Sequence, residues 1–121
     1  MPRTLVIGAT TNPEKYAFRA VNQLKQHGEE VVALGIKEGE VGGVKIMTGQ
    51  PALKDIDTVT LYVGTAHQPG YYDYILSLKP KRLIFNPGTE NPEFEAMALR
   101  AGIEVVVACT LVMLSVGNYH Q

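Results

Sequence analysis

The sequence predicts a doubly wound α/β domain, with a mostly parallel sheet of five to six strands and helices on both faces of the sheet. Short apolar runs of strand length alternate along the chain with segments whose apolar residues recur at helical spacing. The runs are apolar at consecutive positions, as in strands that are buried on both faces of a parallel sheet. Because right-handed crossovers join such strands, we expect the first strand to lie near the middle of the sheet.

Six strands are predicted from the apolar runs. The first strand ends at Gly8, and the third follows a loop that is marked by Gly39, Gly42 and Gly43. The predicted strands cover residues 4–7, 30–36, 44–47, 58–63, 83–86 and 104–108.

Three helices are predicted between these strands. The first and the third each begin with an asparagine that can cap the helix, followed by proline and glutamate, and each ends at a glycine. The predicted helices run from Asn12 to Gly28, after Pro69 to Leu78, and from Asn91 to Gly102. A brief helical turn is expected over residues 51–55, and the tail after Leu114 is expected to be frayed.

The length and composition indicate one globular domain over residues 1–121. Apolar residues make up 45% of the chain and charged residues 19%, a balance that allows a packed core. The net charge of −1 provides no overall basic field for nucleic acid or an anionic membrane, so any anion must be held locally. Cys109 is the only cysteine, which excludes an internal disulfide and indicates a cytoplasmic protein.

The segment after the first strand has the pattern of an anion-binding turn. Gly8, Ala9, Thr10 and Thr11 carry small or hydroxyl side chains, and a helix is predicted directly after them. Backbone amides and the positive end of a helix dipole bind phosphate groups at such a turn. Lys15 lies in the predicted first helical turn, from where it can reach the same anion. The alternative is a plain turn beside a solvated lysine.

The end of the second strand distinguishes between nucleotide ligands. The first turn is not the dinucleotide fingerprint G-x-G-x-x-G, because Thr10 and Pro13 replace its later glycines. After the second strand come Gly35, Ile36 and Lys37, where an NAD enzyme places an acid for the ribose. A lysine here suits a ribose with an extra phosphate, such as the 2′-phosphate of NADP or the 3′-phosphate of coenzyme A. A lysine that is simply exposed in a loop is the alternative.

The sequence favours binding over catalysis. Loops 63–69 and 86–92 are rich in small residues and turn formers, so they could line a slot for an extended ligand or merely connect strand to helix. His67 is the one histidine at this edge, and we expect it to be a loop residue or a ligand contact. The histidines are too widely spaced for a metal site, and no nucleophile or paired-carboxylate motif is present.

Several segments together carry a likeness to a known family. They are Val6–Lys15, Gly28, Lys37, Gly43, Leu53–Ile56, Ala101–Val106 and Cys109. In their order and spacing, from Thr4 to about Leu114, the chain resembles the small CoA-binding proteins. These are single-domain relatives of the nucleotide-binding domain of the succinyl-CoA synthetase α subunit. The resemblance implies a Rossmann-like fold.

The resemblance also implies roles for the residues discussed above. The turn formed by Gly8–Thr11 would contact the CoA phosphates, and Lys15 and Lys37 would contact the charged groups at the nucleotide end. A second set would border the adenine or pantetheine and form the remaining wall of the site. Its members are Val63, Gly64, Thr65, Pro87 and Gly88.

The chain departs from the family pattern at the far end of the ligand. Gly35 and Ile36 stand where relatives carry an Asn-Pro pair, and 85–87 reads Phe-Asn-Pro where relatives have an aromatic residue and glutamine. Both departures could reduce CoA affinity or change specificity. The chain has no counterpart of the synthetase's phosphorylated histidine segment, so no ligase activity is expected.

The leading hypothesis is non-catalytic binding of coenzyme A or an acyl-CoA, with the pyrophosphate over residues 8–11. A small NADP-dependent oxidoreductase and a ligand-free domain that acts through protein contacts are the alternatives. The expected ligand is a small-molecule nucleotide, without a nucleic acid or membrane partner. A protein partner and a homo-oligomer are both left open.

Overall fold

Residues 2–120 are described by a computed structural model, and in them the chain forms seven strands and four α-helices. The strands are β1 (Arg3–Ile7), β2 (Glu30–Leu34), β3 (Gly39–Val41), β4 (Val44–Met47), β5 (Ile56–Leu61), β6 (Arg82–Phe85) and β7 (Glu104–Val107). The helices are α1 (Tyr16–Gln26), α2 (Tyr72–Leu78), α3 (Pro92–Arg100) and α4 (Thr110–Ser115). Two short 3-10 turns, Thr65–His67 and Pro69–Tyr71, precede α2. None of the helices in residues 2–120 is long and apolar enough to cross a membrane.

The strands form one sheet in the order β3-β4-β2-β1-β5-β6-β7. Every neighbouring pair is parallel except β3 and β4, which are antiparallel. The predicted α/β fold and the mostly parallel sheet are therefore confirmed, and β1 lies in the middle, as the crossover rule predicts. The strand order reverses at β1, so the carboxyl ends of β1, β2 and β5 lie together at one edge.

Helices cover both faces of the sheet. In β1, Leu5 and Ile7 pack on one face with residues of α2 and α3, while Val6 packs on the other face with residues of α1 and α4. All three side chains are fully buried. A central strand covered on both faces needs apolar side chains at consecutive positions, which is the pattern seen in the sequence.

The prediction of five to six strands was short by one. Residues 39–43 were expected to form a loop, but Gly39–Val41 forms β3, an antiparallel partner of β4. Gly42 and Gly43, with φ values of 57° and 82°, make the turn between the two strands. Two-residue hairpin turns of this type require positive φ at both central positions, which Gly-Gly satisfies without strain. The glycine pair was thus a hairpin signal.

The first helix begins later than predicted. The side chain of Asn12 accepts a hydrogen bond from the Glu14 amide at 3.0 Å, and its carbonyl accepts one from the Lys15 amide at 3.1 Å. These bonds close a separate turn. Lys15 is then extended, with φ −90° and ψ 145°, and α1 starts at Tyr16. The capping signal at Asn12 was therefore real, but a turn uses it instead of the helix.

Within residues 115–120 the tail is anchored to the sheet through Tyr119, so the expectation of fraying was wrong there; Gln121, which it also included, lies outside the described residues. Tyr119 is only 4% exposed, and its hydroxyl lies 2.7 Å from Oγ1 of Thr4. The guanidinium group of Arg82 donates to the Tyr119 carbonyl. Helix α4, which was not predicted, brings this segment back over the sheet.

Residues 51–55 form no helical turn, contrary to the prediction. Asp55 adopts a left-handed conformation with φ 58°. Its carbonyl accepts the Arg3 amide at 3.1 Å, and the Lys54 carbonyl accepts the Arg3 guanidinium group. These bonds hold the end of the segment against the start of β1.

Candidate functional site

A cleft of about 860 Å³ opens at the carboxyl ends of β1, β2 and β5. Four segments and two further side chains line it. They are residues 8–11, 15–17, 35–38 and 62–64, together with His67 and Tyr71. Three strand ends and the start of α1 thus surround one space at the point where the strand order reverses, which is the usual ligand position in open α/β sheets.

The turn after β1 passes very close to the end of β5. Gly8 has a φ of +98°, a conformation that is unfavourable for other residues. A Cβ at this position would lie 2.7 Å from the Tyr62 carbonyl oxygen, which is too close for any side chain. Glycine is therefore required here, both for the direction of the turn and for its approach to β5.

The amides of this turn fall into two sets. Those of Gly8 and Ala9 both donate to the Leu34 carbonyl, at 2.9 and 3.0 Å, and so attach the turn to β2. The amides of Thr10 and Thr11 have no acceptor among residues 2–120. Only the outer half of the turn therefore has donors free for a ligand.

The start of α1 supplies two more amides of this kind. Because the helix begins at Tyr16, the amides of Tyr16 and Ala17 precede its first internal hydrogen bonds, and neither has an acceptor in the described part of the chain. Both residues line the cleft. The positive end of the helix dipole lies at the same place, which favours an anion there.

The charged side chains of the cleft also favour an anion. Lys15 and Lys37 are both exposed, and no ion pair within residues 2–120 involves either of them. Glu38 is the one carboxylate that lines the cleft. Ile36, beside Lys37, is 87% exposed at its mouth. Two unpaired lysines beside free amides suit a ligand that carries several phosphate charges.

All the site residues predicted from the sequence line the cleft except Thr65, Pro87 and Gly88. The hydroxyl of Thr65 donates to the Glu90 carbonyl at 2.6 Å. The Gly88 amide donates to the Glu90 carboxylate at 2.8 Å. The loop after β6 therefore uses its polar groups on itself and on the neighbouring loop.

Gln68 joins these two loops. Its side chain is fully buried and its Nε2 donates to the carbonyls of Val63 and Thr89, at 3.0 and 2.7 Å. Its Oε1 accepts from Nδ2 of Asn91 at 2.9 Å. Asn91 also caps α3 as predicted, accepting the Phe94 amide at 3.1 Å. The buried glutamine thus holds both loops in place by hydrogen bonds that the sequence did not reveal.

The side chain of Asn86 likewise joins neighbouring elements by hydrogen bonds. Its Nδ2 donates to the Thr60 hydroxyl and the Leu61 carbonyl at 2.6 and 2.8 Å, and its Oδ1 accepts the Thr110 amide at 2.8 Å. One buried side chain therefore connects β5, the end of β6 and the start of α4. It was noted in the sequence only as a departure from the family pattern.

The hydroxyl of Tyr62 is buried without a hydrogen-bond partner in the described part of the chain. Burial raises the pKa of this phenol well above its usual range, and the nearby Cys109 thiol raises it further. The hydroxyls of Thr60 and Thr110 lie near the phenol and offset part of this rise in pKa, but they are 2.8 Å apart and bond to each other. The phenol therefore stays protonated at neutral pH.

Five cleft residues were not predicted as site residues. They are Tyr16, Ala17, Glu38, Tyr62 and Tyr71, whereas His67 was expected to be a loop residue or a ligand contact. Tyr16 and Ala17 belong to the site because the Asn12 turn delays the helix, and an Asn-Pro sequence is compatible with either a cap or a turn. In residues 2–120 no three His, Cys, Asp or Glu side chains are grouped to hold a metal ion.

Comparison with known proteins identifies the family of this chain. The family described as the CoA binding domain matches residues 2–115. A solved structure described only as an uncharacterized protein is 51% identical and covers 98% of both chains, with a TM-score of 0.95. A search of curated proteins found no match.

Two further solved structures share the fold. One, from Thermus thermophilus, is 23% identical with a TM-score of 0.84, over 98% of this chain and 91% of that one. The other, a hypothetical protein from Pyrococcus horikoshii OT3, is 26% identical with a TM-score of 0.81, over 91% of this chain and 79% of that one. The α/β architecture is thus common to relatives with few identical residues.

Proposed function

We propose that this chain, which belongs to the CoA-binding domain family, binds coenzyme A or an acyl-CoA and catalyses no reaction of its own. The family match over residues 2–115 supports the ligand class. The observation that carries the proposal is the set of amides without an acceptor, in a cleft that also contains two unpaired lysines. We further propose a Rossmann-like mode of binding and a cytoplasmic location.

The pyrophosphate would lie between the turn after β1 and the start of α1. The amides of Thr10, Thr11, Tyr16 and Ala17 would donate to its oxygens, and Lys15 would neutralise part of its charge. The two earlier amides of the turn keep their bonds to β2, so Gly8 and Ala9 would contribute close backbone contact.

The nucleotide end would lie over the end of β2. Lys37 would pair with the 3′-phosphate, and Gly35 and Ile36 would border the adenosine. No carboxylate follows β2 until Glu38, so this end lacks the acid that accepts from the ribose of NAD. The pantetheine arm would then run past Val63 and Gly64.

Calorimetric titration with CoA, dephospho-CoA and ADP tests this arrangement. CoA should bind most tightly, and Lys37→Ala should reduce its affinity to that of dephospho-CoA. Lys25→Ala, which removes an exposed lysine from the far end of α1, should leave all three affinities unchanged. Equal binding of CoA and dephospho-CoA by the parent protein would disprove the role of Lys37. No binding of any of the three would disprove the function.

The two alternatives have different signatures. A change in NADPH fluorescence on mixing, without CoA binding, would indicate an oxidoreductase. A stable oligomer in light scattering, with no thermal shift from any nucleotide, would indicate a domain that acts through protein contacts. Mass spectrometry of ligand retained during purification, found by its adenine absorbance, would identify the acyl group.

A further inference from the structure

The stretch that leads from β2 into the β3–β4 hairpin lies against the turn after β1. A Cβ on Gly35 would be 2.3 Å from the Ala9 carbonyl oxygen. A Cβ on Gly39 would be 2.5 Å from Cγ2 of Thr11. Both distances are shorter than the contacts that real Cβ atoms make, so a side chain added at either point would displace part of the turn.

The contact at Gly39 involves a residue of the cleft itself. Thr11 lines the cleft, and its amide has no acceptor in the described chain. The methyl and the hydroxyl of threonine share one Cβ, so packing that fixes the methyl also fixes the hydroxyl. The φ of Gly39 lies outside the left-handed region, so alanine would be compatible with the backbone there. The contact with Thr11 is therefore what a substitution would disturb.

We propose that Gly39 is a positioning residue: the β3–β4 hairpin packs against the Thr11 methyl and so orients the hydroxyl and amide of Thr11 towards the ligand phosphate. This inference rests on the proposed function. A methyl group added at position 39 would force Thr11 into another rotamer or displace the turn. Either change would remove the Thr11 donors from the phosphate while leaving the sheet intact.

The test is a double-mutant comparison in the full chain, with CoA and ADP affinities measured by calorimetry. Gly39→Ala should weaken both ligands about tenfold, as expected for the loss of one hydrogen bond to a charged oxygen. Thr11→Ser keeps the hydroxyl but removes the methyl that holds it, so it should bind about threefold more weakly than the parent. In Gly39→Ala/Thr11→Ser the added methyl has room, and the affinity should return to that of Thr11→Ser. Gly70→Ala, at a glycine with no atom near its Cβ position, is the matched control.

The outcomes separate this inference from the proposed function. A parent protein that binds neither ligand overturns both. A parent that binds, with Gly39→Ala binding equally well, overturns only the positioning role. A double variant as weak as Gly39→Ala also overturns it, because the Thr11 methyl would then not be the group in contact. If Gly39→Ala does not fold, the double variant decides: affinity equal to Thr11→Ser supports the inference, and weaker binding or failure to fold overturns it.

Discussion

Two parts of the same sheet edge differ in how their polar groups are used. The open half consists of residues 8–17 and 35–38, after β1 and β2, where seven amides and two lysines have no partner in the described chain. The seven are the amides of Thr10, Thr11, Tyr16, Ala17 and residues 36–38. The sealed half consists of Thr65, Gln68 and residues 86–91, after β5 and β6, where the polar side chains bond to the backbone or to one another. In the sequence the two halves have the same pattern, since each consists of small residues and turn formers that precede a helix.

The difference teaches that loop composition alone does not identify a binding loop. In the sealed half, the Gly88 amide donates a hydrogen bond to the Glu90 carboxylate, so it is not free for a ligand. The side-chain amide of Gln68 donates to two backbone carbonyls in the same way. In the open half, the polar side chain that could do the same is Asn12, and it instead closes the turn that precedes α1. Several free amides that line one cleft, more than a glycine, mark the ligand site. Substitutions in the sealed half should therefore change stability, and those in the open half should change binding.

The largest effect is expected for Asn86→Ala in the sealed half. The variant loses three buried hydrogen bonds and leaves the Thr110 amide without its acceptor. We expect the free energy of unfolding to fall by about 3 kcal/mol in urea titrations. CoA affinity, measured on the folded variant, should stay within about twofold. Asn118→Ala, at an exposed asparagine, is the control. A loss of binding larger than the loss of stability would contradict the division of the edge.

Lys15→Ala in the open half should show the opposite behaviour. CoA and ADP should both bind about tenfold more weakly, or about 1.4 kcal/mol, because both carry the pyrophosphate. The free energy of unfolding should change by less than about 0.5 kcal/mol, since the lysine is exposed and unpaired. Calorimetry and urea unfolding on the same samples give both quantities. Unchanged ADP affinity would show that Lys15 does not reach the pyrophosphate.

Tyr62→Phe tests the boundary between the halves. Removing a buried hydroxyl that has no partner should raise the free energy of unfolding by about 1 kcal/mol at neutral pH.

Burial raises the pKa of Tyr62 above its usual value of 10.0, so above that pH the unfolded chain loses the proton while the folded chain keeps it. The free energy of unfolding of the parent is therefore unaffected by this group below pH 10 and falls as the pH rises further. The variant should lose less stability than the parent between pH 9 and 11 (roughly the range around the unfolded pKa); an identical decline would contradict the burial of the phenol.

The smallest effect is expected for Thr65→Val. It removes one exposed hydrogen bond, to the Glu90 carbonyl, and keeps the shape of the side chain. Thermal unfolding should show a loss of about 0.5 kcal/mol, and CoA affinity should not change. Serine at the same position retains the hydroxyl and is the control. Weaker CoA binding by the valine variant alone would place Thr65 in the ligand site after all.

The sequence was a good guide to the elements that hydrophobic pattern determines. Six of the strands, the central place of β1 and the capped helix α3 follow from apolar runs and from the Asn-Pro-Glu signal at Asn91. The hairpin was readable from Gly42-Gly43 but was taken for a loop. Helix α4 was missed because its short apolar segment follows β7 without a polar cap, and only tertiary packing distinguishes it from a strand or a tail.

The candidate site was predictable in position but not in its donors. Strand order places the turn after β1 at the ligand edge, and this much follows from the pattern. Which amides are free depends on long-range bonds, such as those from Gly8 and Ala9 to Leu34, and these have no local signature. The burial of Gln68 is of the same kind, since a glutamine in a loop is usually exposed.

The most direct measurement is an amide chemical-shift titration of the ¹⁵N-labelled protein with coenzyme A. If the open half binds the pyrophosphate, the amides of Thr10, Thr11, Tyr16 and Ala17 should shift most, and that of Gly88 in the sealed half should stay nearly unchanged. The largest shifts in the sealed half, or none in the open half at saturating CoA, would contradict a phosphate site built from free amides.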